Sequence, residues 1–255
     1  MDGAIQGNLF SVAAVLAVCG AVALIASTSL AAKAYQSKQE LAKRDEQTLQ
    51  VTGSARKRIR SDLAIWTVRV AAEGKDLKSA YAALKIGVDK VSEFLKSRKF
   101  EPAEVAPGAI ATTVHYGRDW RGQETTQVTG YTLTRGITVT TPRVDAVAAP
   151  AADVTELISD GIDIVSGAPE YIYTKLGELK IEMIGEASKE ARSRGDQIVN
   201  NAGCEISDIR NARMGVMQIT PPNSTEVSSS GVNDTSSIEK DVTAVVSLTL
   251  GLKGR

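Results

Sequence analysis

The sequence predicts an α+β fold, with mostly antiparallel sheets and packed helices in two lobes behind one N-terminal transmembrane helix. Three observations carry this expectation. An uncharged apolar run fills residues 9–32. Pairs of alternating segments read as hairpins joined to helices without strict βαβ alternation. Residues 176–203, LGELKIEMIGEASKEARSRGDQIVNNAG, form the longest helical pattern after the apolar run.

The first run, LFSVAAVLAVCGAVALIASTSLAA, is 24 residues without a charge. That length crosses roughly 30 Å of hydrocarbon as a helix. Its Ala, Gly and Ser content permits close helix contact in a bilayer. A signal peptide is the rival, since Ala32-Lys33-Ala34 resembles a cleavage site. The run is longer than an ordinary signal core and lacks a basic segment before it, which favours a retained anchor. The expected organisation is an anchor over 1–34, a charged stalk over 35–47 and one α+β domain over 48–255, with lobes at 48–140 and 141–255. Asp2 precedes the span while Lys33, Lys38, Lys43 and Arg44 follow it. Positive-inside bias alone would leave the domain in the cytoplasm.

In the domain, residues 48–55 alternate as a strand, with Gly53 a bulge or close approach. Arg56, Lys57, Arg58 and Arg60 read as a solvated basic turn. Residues 62–70 are apolar on both faces, so this strand is expected at a sheet centre with Trp66 in the core. Asp76 is the expected N-cap of a helix burying Leu77, Ala80, Leu84, Val88, Val91 and Leu95. Residues 109–116 and 127–140 make a long hairpin around a polar tip. Thr141-Pro142 reads as N-cap and N1 of a further helix facing Val144, Val147, Val154, Leu157 and Ile158 inward, with Pro150 kinking or splitting it. Residues 162–173 are a short extended segment.

The long helix is expected to bury Ile181, Ile184, Ala187, Ala191, Ile198 and Ala202, with Gly203 as a left-handed C′ residue. Residues 205–220 and 241–250 follow as strands, the second alternating through Val242, Ala244, Val246, Leu248 and Leu250. Residues 221–237, rich in Ser, Asn and Pro, look too polar to pack and read as a mobile loop.

Composition narrows the chemistry. Lys plus Arg balance Asp plus Glu at 30 each, so no global field recruits nucleic acid. A core of real size is available, since 43% of residues are apolar. No phosphate loop, nucleophile elbow, zinc helix or Cys-x-x-Cys pair is present. His115 is the one histidine and sits in a strand. Cys19 falls in the apolar run, and Cys204 reads as a small buried residue under the helix end, with a redox-sensitive thiol or an intermolecular bridge as the rivals. Asn223-Ser224-Thr225 and Asn233-Asp234-Thr235 match a glycosylation sequon that chance explains. No catalytic, cofactor-binding or metal-binding residue is nominated, and neither enzyme activity nor a cofactor is expected.

Gly53 and Ala55 before Asp62-Leu63-Ala64 and Trp66, and Leu176, Lys180, Met183-Ile184 and Glu186-Ala187 heading the long helix, resemble the SIMPL-domain (YggE-like) family, in its membrane-anchored branch. The likeness runs from about Thr48 to the C-terminus. It implies an α+β fold, a periplasmic or cell-surface domain on a single-pass inner-membrane anchor, large ring-like homo-oligomers, a link to oxidative or envelope stress and no catalytic residues to carry over. Pro150 and the 221–237 loop depart from the pattern. The implied orientation opposes the positive-inside reading and is preferred to it. The expected partners are copies of the chain and the lipid bilayer, with protein clients unspecified. The leading expectation is a non-enzymatic self-assembling scaffold or chamber. The alternatives are a two-lobed ligand- or peptide-binding module and an enzyme using carboxylates or Cys204.

Overall fold

The computed structural model describes residues 47–254 and five helical positions before them, Thr28, Ala32, Lys33, Tyr35 and Gln36. Most of the expected membrane anchor, Cys19 included, and most of the stalk lie outside the described residues. Among the described residues no helix is long and apolar enough to cross a membrane.

The elements run β1 (Thr48–Arg60), β2 (Leu63–Gly74), α1 (Leu77–Ser97), β3 (Val105–Arg118), β4 (Glu124–Thr141), α2 (Ala148–Asp153), β5 (Asp163–Ser166), β6 (Glu170–Ile172), α3 (Leu176–Ala202), β7 (Cys204–Met214), β8 (Gln218–Thr220) and β9 (Glu239–Gly254). One sheet has the order β1-β9-β7 with β8 on β9, and the other β3-β4-β2-β5 with β6 on β2. β2 is antiparallel to β4, β5 and β6, and β8 to β9. This is the α+β architecture with antiparallel sheets that the hairpin pattern implies. The described chain forms two compact units. One takes in the described residues up to Gly53, then Ser188–Arg213 and the chain from Val246. The other comprises Ser54–Ala187 and Met214–Val245.

In this second unit β2 is central, as its composition predicts. Period-2 alternation sends Ala64, Trp66, Val68 and Val70 into the core. There they join Ala80, Leu84, Val91 and Leu95 of α1 and Leu133, Ile137 and Val139 of β4. Each large side chain buried this way contributes about 1.5–3 kcal/mol. The Trp66 indole N–H donates to Ser166 Oγ at 3.0 Å, and that hydroxyl donates to Ala151 O at 2.7 Å, so the buried donor is satisfied.

Asp76 caps α1 as expected, accepting from Ser79 N at 2.9 Å in a capping box. Its buried face differs from the prediction at three positions, one of them Val88, which is only partly buried. Leu77 is half exposed, while Gly87 is buried. A Cβ on Gly87 would meet Val70 Cγ1 at 2.8 Å, so this residue lets the helix approach β2.

α3 spans the expected stretch and ends at Gly203 with φ +72°, the left-handed C′ residue. Its buried stripe holds Ala187 and Ala191 as predicted but departs from the prediction toward both ends. Ile181 and Ile198 are exposed at 76% and 48%, and Ala202 is also exposed. The buried positions are Leu179, Met183, Ala187, Ala191, Gly195 and Val199. These recur every four residues, so on a 3.6-residue helix the stripe advances by about 40° per step. Gly195 belongs to it because a Cβ there would meet Leu250 Cδ1 at 2.5 Å.

The helix expected from Thr141 starts later and is split into pieces, with Val144, Val147 and Val154 buried as expected. Thr141 ends β4, and its hydroxyl donates to Glu104 Oε1 at 2.5 Å instead of capping a helix. Pro150 accompanies a break into a 3-10 turn at Val144–Ala146, the six-residue α2 and a 3-10 stretch at Val154–Asp160. Ile158, expected inward, is 54% exposed.

The polar stretch 221–237 is packed rather than loose. The Gln218 amide donates to Ser228 O at 2.8 Å and accepts from Val232 N at 2.9 Å. Backbone bonds join Ile219 N to Val232 O at 2.8 Å and Tyr171 N to Thr235 O at 2.7 Å. Lys240, only 2% exposed in its side chain, donates to the Asp234 carbonyl and lies 3.6 Å from Asp234 Oδ2. Asp234 Oδ1 in turn accepts from Ser236 N and Oγ at 2.9 and 2.7 Å.

Candidate assembly surface

Exposed sheet edges present unpaired N–H and C=O groups to any strand that approaches, and proteins commonly guard them with charge, proline or brevity. β1 is guarded by Arg56, Lys57, Arg58 and Arg60, and β7 by Glu205, Asp208, Arg210 and Arg213. β5 and β6 are four and three residues long. β3 is different.

Among the described residues β3 has β4 on one side and no strand on the other. From Val105 to Tyr116 its sequence, VAPGAIATTVHY, contains no Asp, Glu, Lys or Arg, and nearly all of the strand is exposed. Its first half is defended. Pro107 lacks a donor, the register shifts between Pro107 and Ile110, and Arg135 Nε donates to Gly108 O at 2.9 Å. Residues 110–115, IATTVH, pair regularly with β4 from Ile110↔Arg135 to His115↔Gly130. They carry no such device over roughly 20 Å of strand.

Pairing of β2 with β4 stops at Gly74↔Tyr131, whereas β3 and β4 stay paired out to Arg118↔Glu124. The end of the hairpin therefore extends past β2 as a two-stranded arm. Tyr116, Val128 and Trp120 are exposed along it at 46%, 42% and 86%. At the tip the Arg121 guanidinium stacks 4.3 Å from the Trp120 ring centre. Asp119 Oδ1 ties the turn by accepting from Arg121 N and Gln123 N at 2.8 and 2.9 Å.

The basic cluster is a strand, contrary to the turn reading, because its alternate residues find a carboxylate. Asp241 of β9, 3% exposed, accepts from Arg56 Nη2 at 2.7 Å, Arg58 Nε at 2.9 Å and Asn223 N at 2.9 Å. Bonds from Arg58 and the Asn223 amide outweigh the cost of burial and hold the Asp241 pKa well below the carboxylate range. A depressed folded pKa contributes stability that is present above the unfolded value near 3.9 and lost as pH falls toward the folded one. Asp241→Asn is thus expected to lower Tm at pH 7 and pH 5 by about 5 °C. Thermal melts at pH 3 should show a smaller gap between variant and wild type. An equal gap at pH 3 and pH 7 would contradict this role.

The residues singled out by chemistry are not brought into a site. His115 is exposed on β3, its Nε2 2.6 Å from Thr132 Oγ1. Cys204 opens β7 as a free, half-buried thiol rather than a fully buried one, 3.8 Å from Ala202 O. Among the described residues no group of three or more His, Cys, Asp or Glu could hold a metal ion. The uncharged run of β3 was legible in the sequence, but only the strand order makes it an edge.

Comparison with known proteins gives one family. The model described as SIMPL, a protein of unknown function, matches residues 49–250. No curated protein matches the chain. Among solved structures, one similar chain comes from a crystal structure of a "putative aminohydrolase" from methicillin-resistant Staphylococcus aureus, at 15% identity and a TM-score of 0.24. The alignment covers 48% of this chain and 31% of that one, a likeness too slight to bear on fold or activity.

Proposed function

The chain belongs to the SIMPL family, and on that footing we propose that it is a non-enzymatic, membrane-anchored protein that assembles with copies of itself outside the cytoplasm. The observation that carries the reading is the undefended edge at residues 110–115 beside the projecting hairpin arm. A strand added there gains backbone hydrogen bonds along its length without desolvating any charge of β3. The apolar side chains of the arm supply a second contact for a neighbouring copy. The uncharged run at 9–32 supports a single-pass inner-membrane anchor. A periplasmic or cell-surface domain, the anchored branch and a role in envelope or oxidative stress rest on the resemblance in the sequence.

Amide hydrogen exchange on the full-length protein in membrane nanodiscs tests the edge directly. Residues 110–115 are expected to exchange slowly, and more slowly as protein concentration rises. Exchange at the rate of an open strand at every concentration would sink the reading.

A further inference from the structure

A groove of about 280 Å³ opens between the C-terminal half of α1 and the start of the β3–β4 pair, entirely within one compact unit. Leu95, Phe100 and Ile137, each at most 4% exposed, form its floor. Val88 and Val105 contribute apolar wall. At its rim stand two cations, Lys96 and Arg135, and no acidic side chain lines it.

Neither cation is neutralised. Lys96, exposed in the last turn of α1, has no side-chain hydrogen bond or ion pair among the described residues. Arg135 commits Nε to Gly108 O at 2.9 Å and leaves its terminal nitrogens free. A further basic residue in contact with Phe100 is differently placed. Arg143 is held by Glu104 at 2.6 Å and lies 5.4 Å from the Phe100 ring centre.

We propose that this groove binds a single-chain carboxylate amphiphile, with its alkyl chain on the Leu95–Phe100–Ile137 floor and its carboxylate between Lys96 and Arg135. Apolar lining with a few convergent polar groups is the usual build of a small-molecule site. The volume sets the size of the guest. It is about twice that of a ~150 Å³ cavity that takes benzene, which leaves room for about twelve heavy atoms. Decanoate has that size, whereas a two-chain phospholipid does not fit. The rim sets the charge, because an anion meets two cations and no carboxylate, while an alkylammonium would meet only repulsion. Arg135 can present two N–H groups to a carboxylate, and Lys96 a mobile point charge. Chain burial supplies most of the affinity, and the charged rim supplies the selectivity.

The site does not depend on assembly, since every lining residue lies in one unit of one chain. A protein that stays monomeric would still bind.

The test is photo-crosslinking of full-length protein in phosphatidylcholine nanodiscs with a diazirine-bearing decanoate. Label is expected in peptides from Leu77–Ser97 and Val105–Arg118. Unlabelled decanoate should suppress it at concentrations about tenfold below those needed with decanol, and decyltrimethylammonium should compete less well still. Lys96→Glu, a change at an exposed helix end, should abolish the preference for decanoate over decanol while leaving the thermal melt in place. Label scattered over the chain, equal competition by decanoate and decanol, or a tenfold preference surviving in Lys96→Glu would each overturn the proposal.

Discussion

Replacing Lys240 by alanine is expected to lower the melting temperature by about 6–20 °C. The ammonium is 2% exposed and the facing Asp234 side chain 7%. Burial pushes the Lys240 pKa down, with Asp234 opposing it, and burial pushes the Asp234 carboxyl up, a push that bonds from Ser236 and Ser237 and the Lys240 charge together outweigh. Removing the lysine leaves Asp234 buried without the cation that faces it. An uncompensated buried carboxylate costs about 3–5 kcal/mol, and a chain of this size loses about 2–4 °C per kcal/mol. The damage should be local first. Asp234 N donates to Ile219 O at 2.9 Å and Tyr171 N to Thr235 O at 2.7 Å, so the polar loop hangs on this pair. The double change Asp234→Asn with Lys240→Met should recover much of the loss, since neither charge is then stranded. Thermal melts of the three variants check this. A Lys240→Ala protein within 2 °C of wild type would show that the pair is not a structural pin.

Thr113→Lys is expected to separate assembly from folding. Thr113 is exposed at the middle of the undefended stretch of β3, opposite Thr132. In the single chain a lysine there keeps its ammonium in water, and the melting temperature should move by less than about 2 °C. In an assembly sealed along that edge, the same ammonium must lose water or face its own copy, the device by which natural edges refuse partners. Association should weaken about tenfold or more. A variant that keeps the wild-type oligomer would move the contact to another surface, and a variant that unfolds would show that the edge is already used within the chain.

How far the sequence could be read depended on whether a signal was local. Strict alternation along β9 buried Val242, Ala244, Val246, Leu248 and Leu250 as expected, because side-chain direction in a strand follows from the backbone alone. Asp76 with Ser79 was equally local. α3 was harder because it is apolar on more than one side. Ile181 and Ile184 compete with Leu179 and Met183, and only the neighbouring packing selects the second pair. Gly195 enters that stripe for its lack of a side chain, which no hydropathy pattern flags.

The other misses share a cause in partners distant along the chain. Thr141 looks like a helix cap until its hydroxyl is found on Glu104. Arg56 and Arg58 look solvated until Asp241 is placed between them. The 221–237 stretch looks mobile because nothing within it is apolar enough to pack, yet Gln218 and Asp241 take up its backbone amides from outside it. The candidate surface was half legible. Lack of charge in β3 is a property of sequence, whereas being an edge is a property of topology.

Light scattering coupled to gel filtration on the solubilised full-length protein, across a range of concentrations, tests self-assembly most directly. A discrete mass at a multiple of 27.0 kDa is predicted for the wild type. A monomer at every concentration would contradict the account.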